Sequence, residues 1–268
     1  MKDILQEIVI HKRLEVEQQK KLVPLKLLES QLFEVMELPL RSMRAALASS
    51  PFGIIAEFKR RSPSKGWIFP DAVVKEVVPA YEKAGASACS ILTDNKFFGG
   101  SLEDLTSARA LVKLPLLRKE FIIDSYQLTE AKVAGADAVL LIASILTPES
   151  CLQLAREAYS LKLEVLLEVH DENELEHINP FIDMLGVNNR HLGTFETSLD
   201  HSFSLAERLS RLNSKALLIS ESGISEPSTV RELRRQGFRG FLIGETFMRG
   251  GNPGRTLSTF INGIPNAD

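Results

Sequence analysis

Hydrophobic positions change their period once along this chain, close to residue 50. Over residues 1–48 they recur at helical spacing in two runs. The first carries Ile4, Leu5 and Ile8; after the break imposed by Pro24 the second carries Leu27, Leu28, Leu32, Phe33 and Met36. From Pro51 onward, short apolar runs alternate with amphipathic stretches. The runs at 54–58, 88–92, 116–117, 138–142, 164–169, 184–187, 216–220 and 240–243 read as eight strands. Helices are predicted to begin near Asp71, Ser101, Ser125, Thr147, Asp171, Leu199 and Glu226, and after Pro253.

Strands separated by helices pair in parallel through right-handed crossovers. An open doubly wound sheet would alternate in the same way, but the count of eight and a weak internal repeat favour closure. Gly85, Gly135 and Gly237 each stand between a helical run and a strand, spaced by 50 and 102 residues, near two and four lengths of one unit. Each is suited to the left-handed residue that ends a helix. The expected fold is therefore an α/β (β/α)8 TIM barrel. It forms one domain over 1–268, with a helical extension at 1–48 preceding a barrel at 53–268.

Composition narrows the field. With 44% hydrophobic and 25% charged residues, the chain has the balance of a globular protein with a large core. A net charge of -3 gives no basic footprint for nucleic acid. No apolar run approaches the roughly 20 residues of a membrane span, and the charged N-terminus lacks the apolar core of a signal peptide. A cytoplasmic protein is expected, as a monomer or at most a weak dimer. Cys89 and Cys151 form no CxxC and read as buried, reduced thiols. The five histidines make no HxH or HExxH pattern, so no metal site is expected.

Barrel enzymes build their sites at the C-terminal strand ends. The first strand runs into AEFKRRSPSKG, where Glu57 and Lys59 are two apart and share the face toward the mouth. A buried structural ion pair would use the same two residues. LLRKEF places Lys119 at the end of strand three, LLEVHD places Glu168 on strand five, and GVNNRHL sets Asn188 and Arg190 on one face of strand six. Asp171 and Glu174 have the spacing of a capping box and read as structural. After strands seven and eight, Ser222, Gly223 and Gly244 would let backbone amides approach an anion, with Arg61 and Ser62 completing a phosphate site; simple turn chemistry also uses glycines there. Two lysines, one arginine and two glutamates thus converge. The clustered cations are expected to lower each other's pKa, and a buried glutamate to rise. This pattern suits acid–base work on a phosphorylated anion.

In order along the chain, IIAEFKRRSPSKG, LTDNKFFGGSLEDL, LPLLRKEFIID, GADAVLLI, LLEVHDENEL, GVNNRHL, ISESGI and LIGETFM resemble segments of the indole-3-glycerol-phosphate synthases. The resemblance implies a cofactor-free lyase of tryptophan biosynthesis whose partner is a small phosphorylated substrate. It implies Lys119 as the general acid of ring closure, Lys59 on the substrate carboxylate, Glu168 in the later dehydration, and Glu57 polarising its neighbours. Asn188, Arg190 and Ser222 would hold the substrate, Phe98 and Phe121 would line an anthranilate pocket, and the phosphate would sit on Arg61, Gly223, Gly244 and the backbone of Glu245. The N-terminal helices would partly cover the mouth. Glu120 stands where the family usually has Asp, and His191 where Asp or Asn is common. Phosphoribosylanthranilate isomerase shares the fold but lacks the AEFKRRSPS signature and the extension. A non-catalytic phosphosugar-binding barrel would be expected to have lost side chains at the mouth, and none of the candidates is missing here.

Overall fold

The apolar runs close into a ring. The computed structural model describes residues 4–190, 197–211 and 215–264, so His191 lies outside the described residues. Its barrel strands are β1 (Ile54–Phe58), β2 (Ala88–Leu92), β3 (Leu116–Lys119), β4 (Ala138–Ile142), β5 (Glu164–Val169), β6 (Met184–Asn188), β7 (Leu217–Glu221) and β8 (Gly240–Ile243). All pair in parallel, each with its sequence neighbour, and β1 pairs β8 to close the barrel, with Ile55 opposite Leu242. The third, sixth and seventh strands run one or two residues further toward the mouth than the apolar pattern alone suggests. Their last positions hold Lys119, Asn188 and Glu221, polar residues that hydropathy does not count as strand.

The helices are α1 (Ile4–Leu22), α2 (Leu25–Met36), α3 (Met43–Ser49), α4 (Val74–Lys83), α5 (Leu102–Leu111), α6 (Ser125–Val133), α7 (Pro148–Ser160), α8 (Asp200–Arg211), α9 (Pro227–Arg235) and α10 (Pro253–Asn262). Local chemistry starts several of them. Ser101 caps α5 through the Asp104 amide, Asp124 and Gln127 form a capping box on α6, and Thr147 caps α7. Gly85, Gly135 and Gly237 all take positive φ, as the left-handed helix-end reading requires. Two expected starts shift. The helix predicted from Asp71 begins at Val74. The stretch from Asp171 forms only a 3-10 turn, Glu172–His177. Asp171 caps it through the Asn173 amide, but Glu174 reaches one residue past the cap and accepts from the His170 amide at 2.5 Å.

Period two along the strands sorts the core into two layers. Ile55, Leu117, Leu140, Leu166, Met184, Ile219 and Leu242 fill the barrel, and Met43 and Leu47 of α3 plug its base. The alternate positions, such as Ile54, Phe58, Val139 and Phe241, pack beneath the outer helices. The extension therefore spans the barrel from end to end. Its α1 lays Ile4, Leu5 and Ile8 on the mouth, α2 packs against α6 through Leu28 and Tyr126, and α3 closes the base.

Candidate active site

The inward positions that follow the apolar interior are charged. One step beyond Ile55, Leu117, Leu166 and Ile219 come Glu57, Lys119, Glu168 and Glu221, each on the same strand face as its apolar predecessor. Glu57, Lys119 and Glu168 line a cavity of about 570 Å³ that opens at the C-terminal end of the barrel, and Glu221 is buried beneath Lys119. Lys119 Nζ donates to Glu221 Oε2 at 2.8 Å and lies 3.6 Å from Glu57 and 4.0 Å from Glu168. Lys59 Nζ pairs with Glu57 at 2.6 Å. Asn188 donates to Glu168 at 2.9 Å.

Room for these carboxylates comes from glycines on neighbouring strands. A Cβ on Gly244 would lie 2.2 Å from Glu57 Oε1, and one on Gly186 would lie 2.2 Å from Glu221 Oε1. Gly244 thus does more than clear the way for a phosphate: it leaves the space that Glu57 occupies.

The electrostatics correct two expectations, a lowered lysine and a raised glutamate among Glu57 and Glu168. Burial alone would lower the Lys119 pKa, but the charges of Glu221, Glu57 and Glu168 outweigh it, and the ammonium is held above its ordinary value. Lys119 faces three carboxylates and is not dominated by its fellow cations. Burial would raise Glu57, yet Lys59 and Lys119 hold it low. Glu168 is likewise held low, at about 2, because His170 and Lys119 overcome its desolvation. Glu221 goes the other way. Burial, with repulsion from Glu168 and Glu57, outweighs Lys119 and pushes it up to about 7. One of the three glutamates is therefore poised to share a proton, and it is the one bonded to Lys119.

Another part of the cavity lining is made of small, hydroxyl-bearing and charged residues. Ser62, Ser222, Gly223, Gly244 and Glu245 line it, joined by Ser64, Lys65, Thr246 and Arg249. Ser222 and Gly223 both take positive φ, 67° and 75°, and a left-handed serine is a strained backbone held by its surroundings. The buried Asn189 supplies the restraint: its amide donates to Ser220 Oγ, Glu221 O and Ser222 O at 3.0–3.1 Å. Arg190 donates to Ser64 Oγ at 2.5 Å and sits 3.7 Å from Glu245, tying the sixth strand end to the first loop. Arg61 is not brought to the cavity. Its guanidinium lies over the Trp67 ring at 5.6 Å and donates to Lys96 O, within a small hairpin of Arg61–Ser62 against Gly66–Trp67.

Phe98 and Phe121 form one wall, their rings 6.0 Å apart, and Leu92, Leu140, Ile142, Ile4, Leu5 and Ile8 complete an apolar end suited to an aromatic ring. Lys12 of α1 holds that wall together. It is 0% exposed and pairs with Glu120 at 2.9 Å, Asp94 at 3.0 Å and Glu15 at 3.0 Å. Asp94 starts the short turn that carries Phe98, and Glu120 stands between Lys119 and Phe121. Sequence reasoning missed Lys12, Glu221 and Asn189. The signals were a lone lysine on the apolar side of α1, the glutamate inside SESGIS, and the doubled asparagine of GVNNR.

A closed parallel barrel whose mouth joins a lysine–glutamate cluster, an apolar wall and a glycine- and serine-lined stretch has the make-up of an α/β-barrel enzyme. The chain matches the indole-3-glycerol phosphate synthase family over residues 5–260. An indole-3-glycerol phosphate synthase of Bacteroides thetaiotaomicron is 58% identical over 264 residues, covering 98% of this chain and 100% of that one. One from Polaromonas sp. is 42% identical over 261 residues, covering 96% and 98%. The chain belongs to this family. Among solved structures, the tryptophan synthase alpha subunit of Legionella pneumophila superposes with a TM-score of 0.62 at 15% identity, over 86% of this chain and 100% of that one; the likeness is one of fold.

Proposed function

We propose that the cavity closes an indole ring, converting 1-(2-carboxyphenylamino)-1-deoxyribulose 5-phosphate to indole-3-glycerol phosphate, carbon dioxide and water. The family reaction is that of a decarboxylating lyase in tryptophan biosynthesis. The observation that carries the assignment of roles is Lys119, charged and ringed by Glu221, Glu57 and Glu168 in a cavity with an apolar wall and a glycine- and serine-lined stretch.

The chemistry sets the requirements. A carbon–carbon bond forms between the ring carbon bearing the carboxylate and the keto carbon, and the keto oxygen takes a proton. Carbon dioxide leaves, and its bonding pair returns to the ring. The new hydroxyl then departs as water, which takes up one proton, and the neighbouring carbon releases another. Lys119 donates a proton to the keto oxygen, and until that proton moves its positive charge stabilises the negative charge developing there. Glu221, 2.8 Å away and near neutrality in its titration, returns a proton to the lysine. Glu168, kept ionised, accepts the proton released in dehydration. Lys59, oriented by Glu57, holds the substrate carboxylate. Asn188, Arg190 and Ser222 contact the substrate, and Phe98 and Phe121 flank its ring. The phosphate rests on Ser62 and on the backbone at Gly223, Gly244 and Glu245, with Lys65 and Arg249 in the place first assigned to Arg61. The buried thiols Cys89 and Cys151, whose pKa values burial raises, are in keeping with a reducing cytoplasm.

The test is direct. Purified protein mixed with the carboxyphenylamino substrate should develop indole fluorescence and release one carbon dioxide per product. No fluorescence from a folded preparation would refute the assignment.

A further inference from the structure

Behind Glu168, out of the cavity, stands a histidine that none of the roles above uses. His170 follows Glu168 by two residues, and its side chain is largely buried between two carboxylates. Nε2 lies 3.3 Å from Glu168 Oε1 and Nδ1 lies 3.5 Å from Glu174 Oε2. Glu174 is fixed in turn, because the same oxygen accepts from the His170 amide. The 3-10 turn after β5 is what allows this. It brings Glu174 back over His170, where a regular helix with a standard capping box would have turned that carboxylate to the Asp171 amide.

The geometry points to His170 as a positioning residue that clamps the Glu168 carboxylate from behind and keeps it an ionised acceptor facing the substrate. This rests on the role given to Glu168 above. Between two carboxylates, 3.3 and 3.5 Å away, the imidazole meets only acceptors, and these neighbours favour the doubly protonated ring. Burial opposes that charge, but the close carboxylates of Glu168 and Glu174 override it and push the His170 pKa up to about 10. The charged and polar groups around the clamp are few. Glu168 and Glu174 flank the ring, Lys119 of β3 lies 4.0 Å beyond Glu168, and Asn188 of β6 donates to the same Oε1. On the outer side of the turn, Glu172 is already paired with Arg208. Removing the imidazolium takes away a cation touching Glu168 and leaves Lys119, so the carboxylate should protonate at higher pH.

Two measurements test this. In the ligand-free protein, the imidazole carbon-bound proton of His170 should show no titration step in NMR spectra between about pH 5.5 and 8.5, and Glu168→Gln should bring one into that range. This reading needs no turnover, so it stands or falls apart from the assigned reaction. In kinetics, His170→Ala should move the acid limb of kcat upward by about one pH unit or more while KM changes less than about threefold. His170→Asn restores a donor without the charge; it should recover part of kcat and leave the limb displaced. Glu174→Gln, which keeps the histidine, should displace it less. An ordinary His170 titration near pH 6.5 would overturn the proposal. So would an unchanged acid limb in a folded His170→Ala or, should that variant not fold, in His170→Asn.

Discussion

Replacing Lys12 by methionine keeps an unbranched side chain one atom shorter and deletes the charge. Three consequences follow from the geometry. Asp94 and Glu120, both almost wholly buried, lose the cation they share at 3.0 and 2.9 Å. Each retains other partners. Asp94 accepts from the Phe97 amide, and Glu120 accepts from Thr93 Oγ1 and the Phe121 amide. Breaking a buried ion pair from one side costs about 3–5 kcal/mol, and the surviving hydrogen bonds put this case at the lower end, about 3 kcal/mol. If α1 undocks before the barrel melts, the loss appears locally, and Ile4, Leu5 and Ile8 leave the cavity wall. KM should then rise by about tenfold, because the aromatic end of the substrate loses apolar cover worth roughly 1.4 kcal/mol. Urea unfolding, amide exchange in α1 and steady-state kinetics read the three effects. Lys20 gives the control. It bridges the same helix to Asp124 at 2.7 Å, but both side chains are about one-third exposed, so Lys20→Met should cost under about 1 kcal/mol. Equal, small losses for both variants, with unchanged KM, would refute the account of the clamp.

Gly244→Val should lower kcat by about tenfold or more as well as raising KM, since its Cβ meets Glu57 as well as the phosphate space; a pure KM effect in steady-state kinetics would contradict this. Glu221→Gln should abolish the inflection near neutral pH in the kcat profile, because the group whose pKa burial raises to about 7 is gone; a persisting inflection would assign it elsewhere. Asn189→Ala should cost about 1–3 kcal/mol by leaving the Ser222 carbonyl and the Ser202 amide without their partner, and should weaken phosphate binding as the left-handed Ser222 relaxes; thermal unfolding and inorganic-phosphate inhibition check the two effects.

Much of the molecule was legible from residue order. Eight apolar runs identify the strands, and their parity places Glu57, Lys59, Lys119, Glu168 and Asn188 on the lumen face, where the structure has them. Properties that depend on neighbours across the barrel were not legible. Gly186 and Gly244 look like strand and turn glycines until the register puts a carboxylate against each. Glu221 was hidden among the small residues of SESGIS, whose serines and glycine drew attention to phosphate. Without it the cluster counts as electropositive, and the sign of the Lys119 shift comes out reversed. Lys12 shares its helix with Lys20 and Lys21, and although it stands on the apolar side, only docking shows which carboxylates it meets. Arg61 shows the opposite error: its place just past the first strand and the family resemblance suggested the phosphate, but the hairpin turns it onto Trp67.

The central claim is that Lys119 drives ring closure while other groups hold the substrate. Single-turnover kinetics of Lys119→Ala, set beside a product-binding titration, tests it most directly. General acid catalysis contributes about 10²–10⁴-fold, and the stabilised oxyanion adds to that. The rate of indole formation should fall by at least that order, with the product dissociation constant changed by less than about tenfold. Lys119→Arg should not restore the rate, because the larger planar guanidinium cannot take the ammonium's place among Glu221, Glu57 and Glu168. A turnover rate within about tenfold of the parent enzyme would contradict the account and transfer the acid's role to Lys59.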